Sequence, residues 1–184
     1  MFKIDIQYIY KRGGNMEKEH TCCFFGHRKI KITEELENRL KNVVEDLIVN
    51  KKVTNFLFGS KSEFDNLCLK IVTVFKKKHT HIKRIYVRAE YPFIDENYEK
   101  YLLKKYDCTY YPKQIVDAGK ASYVERNYEM IDKSNYCIVY YDEKYIPQKR
   151  KNKRQNLFDY QPKSGTKIAY NYAVKKEKMI VNVI

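Results

Sequence analysis

Between Thr21 and Val183, short apolar runs that stop at a glycine or a charged residue alternate with stretches whose apolar residues return every three or four positions. This alternation leaves few architectures open, because parallel strands need long crossovers and a helix is the usual one. The runs Thr21–Phe25, Thr54–Phe58, Ile82–Val87, Tyr136–Tyr141 and Met179–Val183 predict about five strands. Helices are expected from an N-cap at Thr33 to about Asn50, around Phe64 to Phe75, over Asn97–Tyr106, over Ser122–Asp132, and from Ser164-Gly165-Thr166 to about Lys176. Tyr110–Ala118 reads as loop. The expected fold is α/β, a Rossmann-like three-layer sandwich with a mostly parallel sheet.

A chain of 184 residues can bury one core of this kind, so a single domain is expected over 16–184. Met1–Tyr10 alternates polar and apolar residues and is followed by Lys11-Arg12-Gly13-Gly14-Asn15 and Met16. Codons for Lys-Arg-Gly-Gly can carry a purine-rich ribosome-binding run. On one reading, then, residues 1–15 are a non-native or disordered extension; on the other they are a strand with a Gly-Gly turn. The polar loop Glu143–Lys163 contains Lys149–Arg154 and is expected to be solvated beside the pocket mouth.

No apolar run approaches the roughly 20 residues that cross a bilayer, and the N-terminus lacks the features of a secretory signal. A cytoplasmic location and no membrane partner are expected. The 5 cysteines are odd in number and form no Cys-x-x-Cys pair. Cys22 and Cys23 are adjacent in a strand and should face opposite ways, and His79 and His81 sit in a polar turn. No metal site, disulfide framework or cofactor is expected. The formal charge of +14 comes from 37 Lys+Arg against 23 Asp+Glu, which keeps nucleic acid among the partners, although no helix-turn-helix or zinc-finger pattern accompanies it. A lysine-rich composition also fits drift in an AT-rich genome.

Open parallel sheets bind ligands outside the carboxyl ends of their strands, where strand order reverses. That rule selects Gly26-His27-Arg28, the segment Gly59 to Asp65, Arg88-Ala89-Glu90, and Asp142 with the loop after it. Gly26 permits a close backbone approach, Arg28 can fork two hydrogen bonds onto a phosphate, and His27 is a candidate beside them. Gly59-Ser60 and Ser164-Gly165-Thr166 are each expected to open a helix and present N–H groups to an anion. Asp65, about one and a half turns into its helix, could take ribose hydroxyls or tie its loop. Arg28, Gly59, Ser60, Gly165 and Thr166 are expected around one anion pocket.

Four segments, in chain order, resemble the SLOG superfamily, the Rossmann-like domains of DNA-processing Smf proteins and Lonely Guy enzymes. They are Cys22-Cys23-Phe24-Phe25-Gly26-His27-Arg28, Gly59–Asp65, Arg126-Asn127-Tyr128-Glu129-Met130-Ile131-Asp132 and Ser164-Gly165-Thr166. The opening is most like that of small bacterial and phage members, and the resemblance runs from Thr21 to Ile184. It adds Arg126 to the candidate ligand residues and implies a nucleotide or nucleotide-derived ligand and a homo-oligomer. Glu63 stands where many relatives have glycine, and Ser164 replaces the first glycine of the turn. Where similar enzymes carry a catalytic Glu after Gly-Thr, this chain has Ala169. Sensing or sequestering a ligand is therefore the leading expectation. A phosphoribohydrolase or other N-glycosidic hydrolase using Glu63, Asp65, Glu90 or Asp132 is the alternative, and a DNA-binding accessory protein is the third.

Overall fold

Polar side chains fix where most of the helices begin, by accepting a backbone N–H that has no partner within the helix. Thr33 takes the N–H of Leu36 at the start of α1 (Glu34–Val49), and Ser62 takes that of Asp65 at the start of α2 (Glu63–Lys78). Asp95 does the same for Tyr98 in α3 (Glu96–Leu103), while α4 (Ser122–Asp132) follows a 3-10 turn. Ser164 caps α5 (Gly165–Lys175) through the N–H of Lys167. The computed structural model describes residues 17–59, 61–115, 118–145 and 164–184. The segment 1–15, Ser60 and Lys149–Arg154 lie outside the described residues.

The strands are β1 (Thr21–Gly26), β2 (Asn55–Phe58), β3 (Lys83–Val87), β4 (Cys108–Tyr110), β5 (Tyr136–Tyr140) and β6 (Met179–Asn182). They form one 6-stranded sheet in the order β4-β3-β2-β1-β5-β6, with every neighbouring pair parallel. The expected Rossmann-like α/β sandwich is thus present. Its parallel sheet has six strands. β4 is the strand that was not expected: three half-buried residues between Asp107 and Pro112 are too short to show a period.

Alternation along the strands divides the core between two faces. Cys22, Phe24, Phe56 and Phe58 pack with Leu40, Val44, Leu67, Cys68 and Leu102 of α1, α2 and α3. Cys23, Phe25, Leu57 and Val139 pack with Met130, Ile131, Ala169 and Ala173 of α4 and α5. Cys22 and Cys23 do face opposite layers. Phe24 stacks on Phe58 with ring centroids 4.9 Å apart. Each helix returns the chain to the start of the next strand, so strand ends and helix starts gather at one edge of the sheet, the carboxyl edge. Strand order reverses between β1 and β5. No helix among the described residues is long and apolar enough to cross a membrane.

Candidate functional site

At the reversal between β1 and β5 the crevice is bridged by protein. The backbone N–H of Asp142 donates to His27 Nε2 at 2.9 Å, and Tyr145 stacks on the imidazole with centroids 3.8 Å apart. Asp142 also holds its own turn, its Oδ1 accepting from the N–H of Lys144 and its carbonyl from that of Tyr145. With Nε2 accepting, the ring proton of His27 sits on Nδ1, which is buried and finds no partner among the described residues. Burial holds His27 below its ordinary pKa despite the opposing pull of Asp142.

The loop after β1 is strapped to the start of α2. The N–H of Glu63 donates to the carbonyl of Arg28, and the Glu63 carboxylate accepts from Lys29 Nζ and from the N–H of Ile30. Those bonds hold the Glu63 carboxyl below its usual range, Lys29 contributing most. The Arg28 side chain is exposed. Gly26 faces inward: a Cβ there would lie 2.5 Å from Phe64 Cδ1, so this glycine makes room for a core ring rather than a ligand.

Gly59 does not open the following helix, which begins at Glu63 behind the Ser62 cap. Asp65 is accordingly the third residue of α2 rather than one and a half turns in, because the Ser62 hydroxyl captures its N–H and sets the helix start three residues later than expected. Its carboxylate accepts from Ser62 Oγ at 2.7 Å and from the N–H of Gly59 at 3.5 Å, and so ties the loop. Ser164 acts as a plain N-cap, with Thr166 buried and the Cα of Gly165 facing open space. Ala169, in the place of the enzymes' Glu, is a core methyl against β1 and β5.

A narrow, solvent-open cleft, with a cavity volume of only about 10 Å³, lies where β3 ends, between the layer of α3 and that of α4. Its lining includes Tyr86, Arg88, Glu90, Tyr98, Tyr123 and Arg126. Arg126 is only 3% exposed and Arg88 only 6%. Arg126 Nη1 donates to the carbonyl of Gly59 and Nε to Asn127 Oδ1. Arg88 Nη1 donates to the carbonyl of Tyr91 at 2.8 Å, while its buried Nε has no partner among the described residues. Neither guanidinium has a carboxylate within ion-pair distance among the described residues; Asp65 and Glu90 act on Arg126, and Glu99 on Arg88, only from further away. Burial lowers the pKa of both arginines.

Glu90 is the carboxylate of the lining, and Tyr123 donates its hydroxyl to it, which raises the Tyr123 pKa. Burial pushes the Tyr86 hydroxyl up to about 12. Of the residues singled out from the sequence as ligand-binding, Arg126 lines this cleft and Gly59 lies directly beneath it: a Cβ at Gly59 would come within 2.6 Å of Arg126 Cδ. His27 and Asp142 are brought together elsewhere, at the β1–β5 crevice. Arg28, Gly165 and Thr166 are not among the cleft residues. Arg88 was selected with its strand-end loop but given no ligand role, and the tyrosines were missed. The available signal was the position of Arg88-Ala89-Glu90 directly after a strand.

No protein-family model matches the chain, and comparison with curated proteins finds no significant relative.

Proposed function

We propose that this cleft binds a nucleotide or nucleotide-derived ligand, sensing or sequestering it in the manner expected of a SLOG-like domain. The observation that carries the reading is the pair of buried guanidiniums, Arg88 and Arg126, lining one cleft without an ion-pair partner among the described residues. A buried charge is costly unless it is paired, and a planar guanidinium suits a phosphate. Tyr98 and Tyr123 supply ring faces beside it for a base or sugar. The cleft is narrow and open to solvent, so such a ligand would meet the arginines by its phosphate and leave the rest in solvent.

The test is thermal shift and calorimetry with adenosine and its 5′-mono- and diphosphates. The phosphates should raise the melting temperature and adenosine should not. Arg88→Ala should cost about 1.5–3 kcal/mol, roughly 10- to 150-fold in affinity. Arg28→Ala should cost less, since that guanidinium is exposed and outside the cleft. Equal binding of nucleoside and nucleotide would refute the reading.

Glu90 favours a second reading, hydrolysis of the ligand, because Glu63 and Asp65 are occupied by loop-tying bonds while Glu90 lines the cleft. Chromatography of ligand released after incubation separates the two. Intact nucleotide supports binding alone; free base that disappears with Glu90→Gln supports hydrolysis.

A further inference from the structure

The edge of the sheet opposite the cleft has its own chemistry. Helix ends and the turns into the following strands gather at this amino edge, and four of them carry adjacent lysines. These are Lys51-Lys52 after α1, Lys76-Lys77-Lys78 ending α2, Lys104-Lys105 after α3 and Lys175-Lys176 at the end of α5. Lys51, Lys77, Lys78, Lys104, Lys105 and Lys175 are exposed and have no ion-pair partner among the described residues. Of the acids at this edge, Glu17 and Glu19 before β1 and Glu45 near the end of α1 are exposed, while others are engaged. Asp107 is held by Arg84 and Lys76, Asp132 by Lys176 and Tyr172, and Asp46 by Asn50, while Glu177 is exposed. The first turns at the carboxyl edge are instead acidic, with Glu34, Glu35 and Glu37 in α1 and Glu96 and Glu99 in α3. The carboxyl edge thus mixes these acids with cations such as Arg28, Lys29, Lys61 and Lys144, whereas the amino edge gathers lysines in adjacent groups.

A single cation near a helix C-terminus satisfies its dipole, and the effect fades within the last turn. Doublets exceed that need. Helices α1, α2 and α3 lie in one layer, where neighbouring axes are about 8–10 Å apart. Their three lysine groups therefore form a row on the order of 20 Å long, the span of about six base pairs at 3.4 Å each. Lysine is a compact point charge without a fork, suited to phosphate contact rather than base reading. The exposed apolar side chains near this edge, Val49, Val74, Leu103, Val174 and Met179, are spread over four helices and a strand rather than along one apolar helix face.

We propose that the amino edge docks on the phosphodiester backbone of nucleic acid without reading its sequence, as a site separate from the cleft. Fluorescence anisotropy with a 20-base-pair DNA duplex and a single strand of equal length tests it. The native chain should bind at 50 mM NaCl irrespective of sequence and lose on the order of 10³-fold in affinity by 200 mM. Replacing Lys77, Lys78, Lys104 and Lys105 together by Gln removes four contacts. The slope of log affinity against log salt should then shrink by about 3–4 on duplex DNA. Circular dichroism checks that this surface variant is folded, and Arg88→Ala should bind DNA as the native chain does.

Absence of binding at 50 mM overturns the proposal. So does an unchanged slope in the four-lysine variant, including the case in which neutralising Lys149–Arg154 alone abolishes binding. Attachment to phosphatidylserine vesicles without binding to either DNA assigns the face to a membrane instead and equally overturns it.

Discussion

Three glycines that look equivalent in the sequence do different physical work. The hydrogen on Gly26 that a side chain would replace points at the buried ring of Phe64, and the one on Gly59 points at the Arg126 guanidinium stem, at 2.5 and 2.6 Å for a hypothetical Cβ. Alanine at Gly26 should therefore cost about 1–3 kcal/mol as an overpacked core position. At Gly59 a similar cost should come with weakened nucleotide binding, because Arg126 must move. Gly165 opens α5 with nothing within 4 Å of its added Cβ, so Gly165→Ala should stabilise by about 0.4–1 kcal/mol. Chemical denaturation of the three variants checks the order. A destabilising Gly165→Ala would mean that its backbone is constrained in a way the open space does not show.

At the scale of elements, the carboxyl ends of β1 and β5 are latched by His27, whose neutral ring accepts the N–H of Asp142 and packs on Tyr145. Because the folded chain holds its His27 proton more weakly than the unfolded chain, the unfolded state binds more protons as pH falls from the ordinary 6.5 toward the lowered folded value. The latch is fully stabilising above pH 6.5 and loses its contribution below it. His27→Gln keeps an acceptor near Nε2 without titrating, so the melting-temperature gap between native and variant should shrink as pH falls from 7.5 to 5. Parallel curves would show that His27 does not titrate in this way.

The same scale explains what could be read beforehand. Strand and helix periods are local, so β1, α1, α4, β5 and α5 were legible almost to the residue, as were the Thr33 cap and the opposite facing of Cys22 and Cys23. β4 was not, because a short edge strand is defined by its partner β3 rather than by its own pattern. The cleft was half legible. Arg126 was drawn in by a resemblance and Arg88 by its place after a strand, but only the packing of α4 over the end of β3 brings the two together.

At the scale of the whole molecule, a net charge of +14 makes folding work against itself. Two like charges about 20 Å apart in water repel by only ~0.2 kcal/mol, but every excess charge acts on every other, whereas a helix dipole acts only at its own end. Repulsion should therefore outweigh the dipole benefit at low salt. The lysine groups of α1, α2 and α3, about 10 Å from one another, lie well inside the ~30 Å screening length of 0.01 M salt and near the edge of the ~10 Å length at 0.1 M. Raising NaCl from 10 to 200 mM should thus stabilise the chain, and each ~1 kcal/mol gained should appear as about 2–4 °C in melting temperature. Neutralising Lys77, Lys78, Lys104 and Lys105 to Gln should flatten that rise, because part of the repulsion is gone before salt is added. A melting temperature that falls with NaCl would mean that attractive ion pairs, not the crowding of cations at the amino edge, dominate the electrostatics of this fold.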